Sequence, residues 1–434
     1  EISDGIFDME FTPNRGDCFS VNGLLRDLNI FYETTFNKNI YRKDIDPYEF
    51  NFINHADSSC KNISFLKLEI EEIPKNYNGV LKDYFFDLGL KKNNFFTDVS
   101  NYISYETGQP THCYDAHKLG SYIKLAFLDG SHKFKTLLDK TIELKESNLV
   151  FLDKDNNIIN LAGIVGGEST SCNKKTTSVV IECAHFNPED IIGKSVKYNI
   201  NSEAAHKFER NTDPGNHNHV LRRFLKIIED HSKIKGVKIY EYSNNDVNKL
   251  NTCTFKLNKL NKILGTNFSN ELIIDSLTRL GFIIKENTIT IPSHRHDVNC
   301  IKDIAEEFAR SIGYNNIDEE KFSIFFNADK INDDHTEKSI KNLLINNGFF
   351  EVINDPFTII KNSNSIIVDN PLDSNRKFLR TELKHSLTRN LLYNERRQND
   401  SVKLFEIANV FDSNNFSSKK VLGIIASGRV DKNY

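Results

Sequence analysis

Seven cysteines, Cys18, Cys60, Cys113, Cys172, Cys183, Cys253 and Cys300, stand singly and in odd number in the 434-residue chain. Without CxxC spacing they do not read as a zinc ribbon, and an odd set argues against a disulfide framework, so a reducing, cytoplasmic setting fits best. No apolar run approaches the ~20 residues of a membrane span and no N-terminal signal pattern is found, so no membrane partner is expected. Charge of one sign is also lacking. The 56 basic against 60 acidic residues leave a net charge of -4, so no global basic field draws nucleic acid, and any such contact must be local. There is no repeat and no low-complexity segment beyond Asn/Lys runs such as "KKNNFF", which read as compositional drift. Met9 is the one methionine. The chain opens on strand-forming "EISDGIFDME" and stops just after the strand-like "KKVLGIIAS", so a fragment truncated at both ends is expected. With 38% hydrophobic and 27% charged residues over this length, two to four domains can each bury a core.

Along the chain, "TPNRGDC" reads as a loop with Asp17 as candidate N-cap, and Val21, Leu24, Leu25 and Leu28 recur at helical spacing behind it. The stretch "YRKDIDPYEFNFINHADSSC" reads as a polar linker. A mixed α/β region follows from near Ile63, with strands in "SYIKLAFLDG", "LVFLDKDNNIINLAGIVGG" and "TTSVVIECAHF" and a helix in "GNHNHVLRRFLKIIEDH". After a second linker, "EYSNNDVNKL", three helical patterns surround the strand "TITIPS", the content of a small helix-strand module. From about Phe322 helices and strands resume, with "SIKNLLINNGFFEVI" helical and "SVKLFEIANVF" strand-like.

Four features bear on chemistry. His112 stands in the polar turn "GQPTHCYD" with no second histidine or serine nearby. Residue-level reasoning gives either an imidazole bonded within its own loop or one that orients water at neutral pH. The glycines of "LAGIVGGEST" (Gly163, Gly166, Gly167) lack the Gly-Lys-Ser/Thr ending of a phosphate loop, so a hairpin turn is expected instead. Glu182 alternates with Ile181 and Cys183 on a strand and shares a face with Val180; from the strand alone it reads as an edge glutamate facing solvent. Asp303, Glu306 and Glu307 share a helix face with Asp297 just before it, which suits either a hard cation or a solvated acidic face paired with Arg310.

Seven stretches in order resemble the β subunit of bacterial phenylalanyl-tRNA synthetase: "TPNRGDCFSVNGLLRD", "DVSNYISYETGQPTHCYDAHKL", "LAGIVGGEST", "IECAHFNPEDIIGKSVKY", "SEAAHKFERNTDP", "PSHRHDVNCIKDIAEEFARSIGYNNI" and "NRKFLRTELKHSLTRNLLYNERRQ". The resemblance implies an α+β multidomain chain. Its expected parts are a remnant of an N-terminal structural domain (1–45), a mixed α/β editing domain (59–240), a winged-helix-like magnesium-binding module (250–320) and a truncated class II synthetase-like antiparallel core (322–434). It implies a subunit that supports ATP-dependent attachment of phenylalanine to its tRNA by a separate α subunit, in an α2β2 heterotetramer, and that hydrolyses mischarged tyrosyl-tRNA. By the same resemblance His112 acts on water and Glu182 accepts the tyrosine hydroxyl. Gly166, Ser202 and Ala204 line the editing pocket, and Asp297, Asp303, Glu306 and Glu307 bind magnesium, while ATP is used at the α-subunit site. Ser202, Lys207 and Asn211 stand where the family usually has threonine, arginine and glycine, and asparagine tolerates the left-handed turn. The rival expectation is a non-enzymatic scaffold with a decayed pocket, binding only α subunit and tRNA; a free-standing aminoacyl-tRNA hydrolase is disfavoured because it leaves the last two regions without a purpose.

Overall fold

One strand, Ser178–His185, carries apolar side chains on both faces, and that pattern requires covering layers above and below it. In the computed structural model it lies inside a five-stranded sheet, between Asn62–Ile70 and Thr111–Asp115, with Ile234–Ser243 and Asp46–Pro47 completing the order beyond Asn62–Ile70. The structure describes residues 2–3, 5–32, 34, 39–244, 250–254, 256–319 and 335–428. Val179, Ile181 and Cys183 face helices Phe95–Thr107 and His217–His231, where they pack with Val99, Ile103, Phe224 and Ile228. Val180 and Ala184 face the other way, onto a second five-stranded sheet that supplies Ile123, Leu125, Val150, Phe151 and Leu161. The second sheet runs Val165–Gly166, Ile158–Leu161, Asn148–Leu152, Tyr122–Leu128, Asn51–Asn54. The result is a helix layer, a sheet and a second sheet around two apolar cores.

The expected linker over residues 41–60 is instead part of this architecture. Asp46–Pro47 and Asn51–Asn54 each add a strand, one to either sheet, and Tyr41, Phe50 and Phe52 are buried. Its aromatic content is the physical reason: Phe50 and Phe52 pack against Phe65 at 4.9 and 5.2 Å between ring centroids. In the second expected linker, the strand Ile234–Ser243 runs on through Ser243, and positions 245–249 lie outside the described residues.

The N-terminal helix forms where its apolar spacing predicts, over Val21–Leu28. Its cap is Ser20, whose Oγ accepts from the Gly23 amide at 3.0 Å. Asp17 is not the cap because Arg15 holds it, 2.9 Å away, and Arg15 also reaches Asp27 at 2.8 Å. The helix-strand module has the expected content, with helices Asn258–Leu264, Asn270–Arg279 and Ile301–Ile312 and a three-stranded sheet containing Thr288–Thr290. Leu260, Ile273, Leu277, Phe282, Ile304 and Phe308 form its core.

Residues 1–320 form one compact unit and 321–434 another. In the second, the long antiparallel pair Val402–Asp412 and Ser417–Ser427 carries helix Lys384–Glu395, whose Leu387 packs with Val402 and Leu404. Buried Arg380 pairs with Glu406 at 2.8 Å, which gives that arginine a structural partner within the unit. The first part of the region expected from Phe322 lies outside the described residues up to His335.

Candidate functional site

Two cross-strand pairs face each other between the sheets. In the first sheet Glu182 stands opposite His112, and in the second Asn160 stands opposite Gly166. His112 is therefore a strand residue, the second of Thr111–Asp115, and the turn that precedes it is made by Gly108 and Gln109. Gly108 ends helix Phe95–Thr107 at φ 81°, a left-handed conformation that glycine adopts without strain. Gln109, buried, donates from Nε2 to the Ala184 carbonyl at 2.8 Å and so ties the turn to the neighbouring strand.

Glu182 is 5% exposed and central, not an edge residue facing solvent. Residue alternation assigned its face correctly, alongside Val180, but that face is the covered one. Burial pushes its carboxyl up to about 7, against the opposing pull of the Tyr114 hydroxyl. Tyr114, two residues beyond His112 and fully buried, donates its phenol to Glu182 Oε2 at 2.5 Å. Asn160 donates from Nδ2 to the Tyr114 oxygen at 2.8 Å and lies 3.5 Å from the same carboxylate oxygen.

His112 sets its ring edge-on to Tyr114, centroids 4.4 Å apart at 78°. Its Nε2 is buried and receives no hydrogen bond. Burial lowers the imidazole to about 4, so the ring is neutral at pH 7. The absent side chain of Gly166 makes room for this ring: a Cβ there would lie 2.6 Å from His112 Nε2 and closer still to Cε1. The space at Gly166, which the resemblance gives to the lining of the editing pocket, is in this structure filled by the imidazole.

Ser202 caps helix Glu203–Phe208, accepting from the Ala205 amide at 3.1 Å and donating to the Ile164 carbonyl at 2.6 Å. Its hydroxyl thus ties the helix to the segment entering Val165–Gly166. Ala204 is half-buried against the intersheet core. Lys207 is half-buried and donates to the Ser104 carbonyl at 2.5 Å, and desolvation lowers its ammonium to about 8. Asn211 adopts φ 70°, the left-handed turn expected of it.

The four acidic residues of the helix-strand module are not gathered. Asp297 receives two hydrogen bonds from Arg295, at 2.8 and 2.9 Å. Glu307 meets Arg295 at 2.5 Å and Arg310 at 2.7 Å; although burial acts to raise it, those guanidiniums hold it down at about 2. Asp303 accepts from the Asn299 and Cys300 amides at the start of its helix, and Glu306 is exposed. Among the described residues no group of three or more His, Cys, Asp and Glu side chains is placed to hold a metal. In this arrangement the carboxylates fit arginine and backbone amides rather than a cation.

Sequence reasoning missed Tyr114 and Asn160. The two-residue strand period from His112 was a signal for Tyr114, since it puts both rings on one face. Asn160 carried no local signal, because it reaches the cluster only through packing of the two sheets.

A family model for the B3/4 domain matches residues 67–233, one for the tRNA synthetase B5 domain matches 253–314, and one for the phenylalanyl tRNA synthetase beta chain CLM domain matches 327–433. The chain is 30% identical over 457 residues to a phenylalanine–tRNA ligase beta subunit from Ehrlichia canis, covering 99% of this chain and 56% of that protein. To one from Francisella tularensis it is 29% identical over 435 residues, covering 93% and 53%. A solved N-terminal fragment of the phenylalanyl-tRNA synthetase beta subunit from Pyrococcus horikoshii matches at a TM-score of 0.36 and 14% identity, over 70% of this chain and 85% of that one, a likeness too loose to carry an argument. The chain spans about half the length of the curated relatives it matches.

Proposed function

This chain belongs to the bacterial-type phenylalanine–tRNA ligase β-subunit family, and we propose that it serves the charging of tRNA(Phe) while removing tyrosine attached in error. In this reading an α subunit joins phenylalanine to the tRNA with ATP and magnesium, the assembly is an α2β2 heterotetramer in the cytoplasm, and the intersheet cluster of this chain hydrolyses tyrosyl-tRNA. One observation carries the editing role: His112 and Glu182, the two residues expected to act, stand opposite each other on adjacent strands, with Gly166 against the imidazole.

Hydrolysis of an aminoacyl ester needs a positioned water and little more. A neutral imidazole with an unpaired Nε2 can accept a hydrogen bond from that water once the packing of the ring on Gly166 opens to admit it. Its depressed basicity makes it better at orienting the water than at removing the proton outright, because proton abstraction is most efficient when the base titrates near the working pH. Glu182 supplies the acceptor for a substrate phenol, in a layer where a charge-assisted hydrogen bond is stronger than it would be in water.

The test uses the full-length subunit assembled with its α partner, given tyrosyl-tRNA and phenylalanyl-tRNA separately. His112→Ala is expected to slow deacylation of tyrosyl-tRNA at least about tenfold, and Glu182→Ala to erase the preference for tyrosine. Wild-type clearance in both variants would remove the cluster from the reaction. The scaffold reading is favoured by the engagement of the Ser202 and Glu182 polar atoms within the protein itself; it requires that the wild-type assembly show no deacylation at all.

A further inference from the structure

A carboxylate placed to recognise a phenol already holds one. The Tyr114 hydroxyl lies 2.5 Å from Glu182 Oε2, and Asn160 closes the arrangement with a donor 2.8 Å from the phenol oxygen. Tyr114 is 0% exposed and Glu182 5% exposed. The two side chains lie on adjacent antiparallel strands, where Val180 is the cross-strand partner of Tyr114 and Glu182 is the partner of His112. Tyr114 therefore reaches Glu182 diagonally, over a distance that suits a long aromatic side chain.

We propose that Tyr114 is a specificity-determining residue, a resident phenol that occupies the hydroxyl-recognition position on Glu182 and competes with a substrate tyrosine for it. The inference rests on the editing role given above and concerns how strongly that site distinguishes tyrosine from phenylalanine. If Glu182 had no internal donor, bound phenylalanine would leave a desolvated carboxylate unpaired, and the contrast with tyrosine would carry the full cost of that group. With Tyr114 in place the carboxylate is satisfied whichever amino acid enters. Tyrosine then gains only what it wins by displacing the resident phenol or by sharing the carboxylate with it. Asn160 strengthens the resident phenol's hold, because a hydrogen bond donated to the Tyr114 oxygen polarises the O–H that points to Glu182. The chemistry of the competitor is narrow: a neutral aromatic hydroxyl on an aminoacyl ester.

Tyr114→Phe removes one oxygen and keeps the ring that packs edge-on against His112. The tyrosyl-to-phenylalanyl ratio of deacylation rates in the full heterotetramer is expected to rise about tenfold or more, the fold-change that corresponds to one hydrogen bond to a charged group. Glu182→Gln should bring the ratio close to one with either residue at 114, so the effect of Tyr114→Phe should vanish in that background. The second variant keeps the inference testable if the first proves unstable, since Tyr114→Phe with Glu182→Gln leaves no carboxylate to be stranded. An unchanged or lowered ratio in Tyr114→Phe, with wild-type deacylation intact, would overturn the inference and leave Tyr114 as a packing or supporting residue. Absence of deacylation in the wild-type assembly would instead overturn the editing role itself, so the two failures are distinct.

Discussion

Replacing Gly166 by alanine should cost stability through one contact with His112, and the cost should disappear when that contact is removed. Gly166 is not among the glycines in the left-handed region, so its backbone accepts alanine and the effect is one of space. The new Cβ would lie 2.6 Å from His112 Nε2, closer to Cε1, and 2.9 Å from Leu137 Cδ2. The leucine methyl ends a flexible side chain and can turn away. The imidazole is confined by Tyr114 on one side and cannot move without losing its edge contact. Overpacking of this kind costs about 1–3 kcal/mol, offset by about 0.4–1 kcal/mol from the stiffer unfolded chain. The net, about 1–2 kcal/mol, corresponds to a fall of about 2–8 °C in Tm for a domain of this class. In a His112→Ala background the nearest atoms are gone, and Gly166→Ala should be neutral or slightly stabilising. Urea melts of the wild type, both single variants and the double variant give the coupling directly, and at least about 1 kcal/mol is expected. Equal costs in the two backgrounds would refute the reasoning, because Gly166 would then be required for something other than His112.

Two further outcomes follow from buried charge. His112 and His185, lowered by burial to about 4, and His217, lowered by burial to about 3, take up protons more readily unfolded than folded. Their contribution is complete above the unfolded value near 6.5 and is lost as pH falls toward 4, about 1 kcal/mol for each between pH 7.5 and 5.5. Glu182, raised by burial to about 7, acts in the opposite sense over the same range: its contribution is complete below the unfolded value and is lost as pH rises through 7. The histidines outnumber it, so acidification from pH 7.5 to 5.5 should lower the urea-derived stability by an amount on the order of 2 kcal/mol; a rise over that interval would contradict the burial of these rings. In the helix-strand module, Arg295→Met takes from Asp297 its arginine and leaves Glu307 to Arg310 alone, and should destabilise by up to about 3–5 kcal/mol. A chelator should leave the melting curve of the full-length subunit unchanged, and a chelator-induced fall in Tm would show that a cation, not Arg295, neutralises Asp297 and Glu307.

How far the chain could be read in advance depended on the range of the interactions involved. Helices Val21–Leu28, His217–His231 and Ile301–Ile312 form where apolar spacing called for them, because a helix face is a property of neighbouring residues. The same holds for the face of Glu182, which follows from a two-residue period. Its burial does not, since nothing in "SVVIECAHF" reveals that a second sheet lies over that face. The expected linker at 41–60 failed for the same reason: a two-residue and a four-residue strand have too little pattern of their own, and they exist because two sheets offered them an edge. Asp17 lost its place as cap to Ser20 because Arg15 and Asp27, ten or more residues apart in the chain, form an ion network that takes up its carboxylate.

The candidate site shows the limit most clearly. Resemblance named His112, Gly166 and Glu182 separately, yet their relation is a matter of register: one strand pairing sets Glu182 opposite His112, and another sets Asn160 opposite Gly166. A slip of one residue in either pairing would turn its side chains to the far face of the sheet. Glycine at 166, a phenol at 114 and an amide at 160 are therefore one solution rather than three features. The glycine admits the imidazole, and the phenol and amide satisfy the carboxylate that the fold has buried beside it. A site assembled in this way has its polar needs met before any substrate arrives. Under the proposed editing role, its selectivity would come from exchanging one hydrogen-bond partner for another, a smaller free-energy difference than filling an empty acceptor, so that reading gives the identity of residue 114 a weight in tyrosine recognition comparable to that of Glu182.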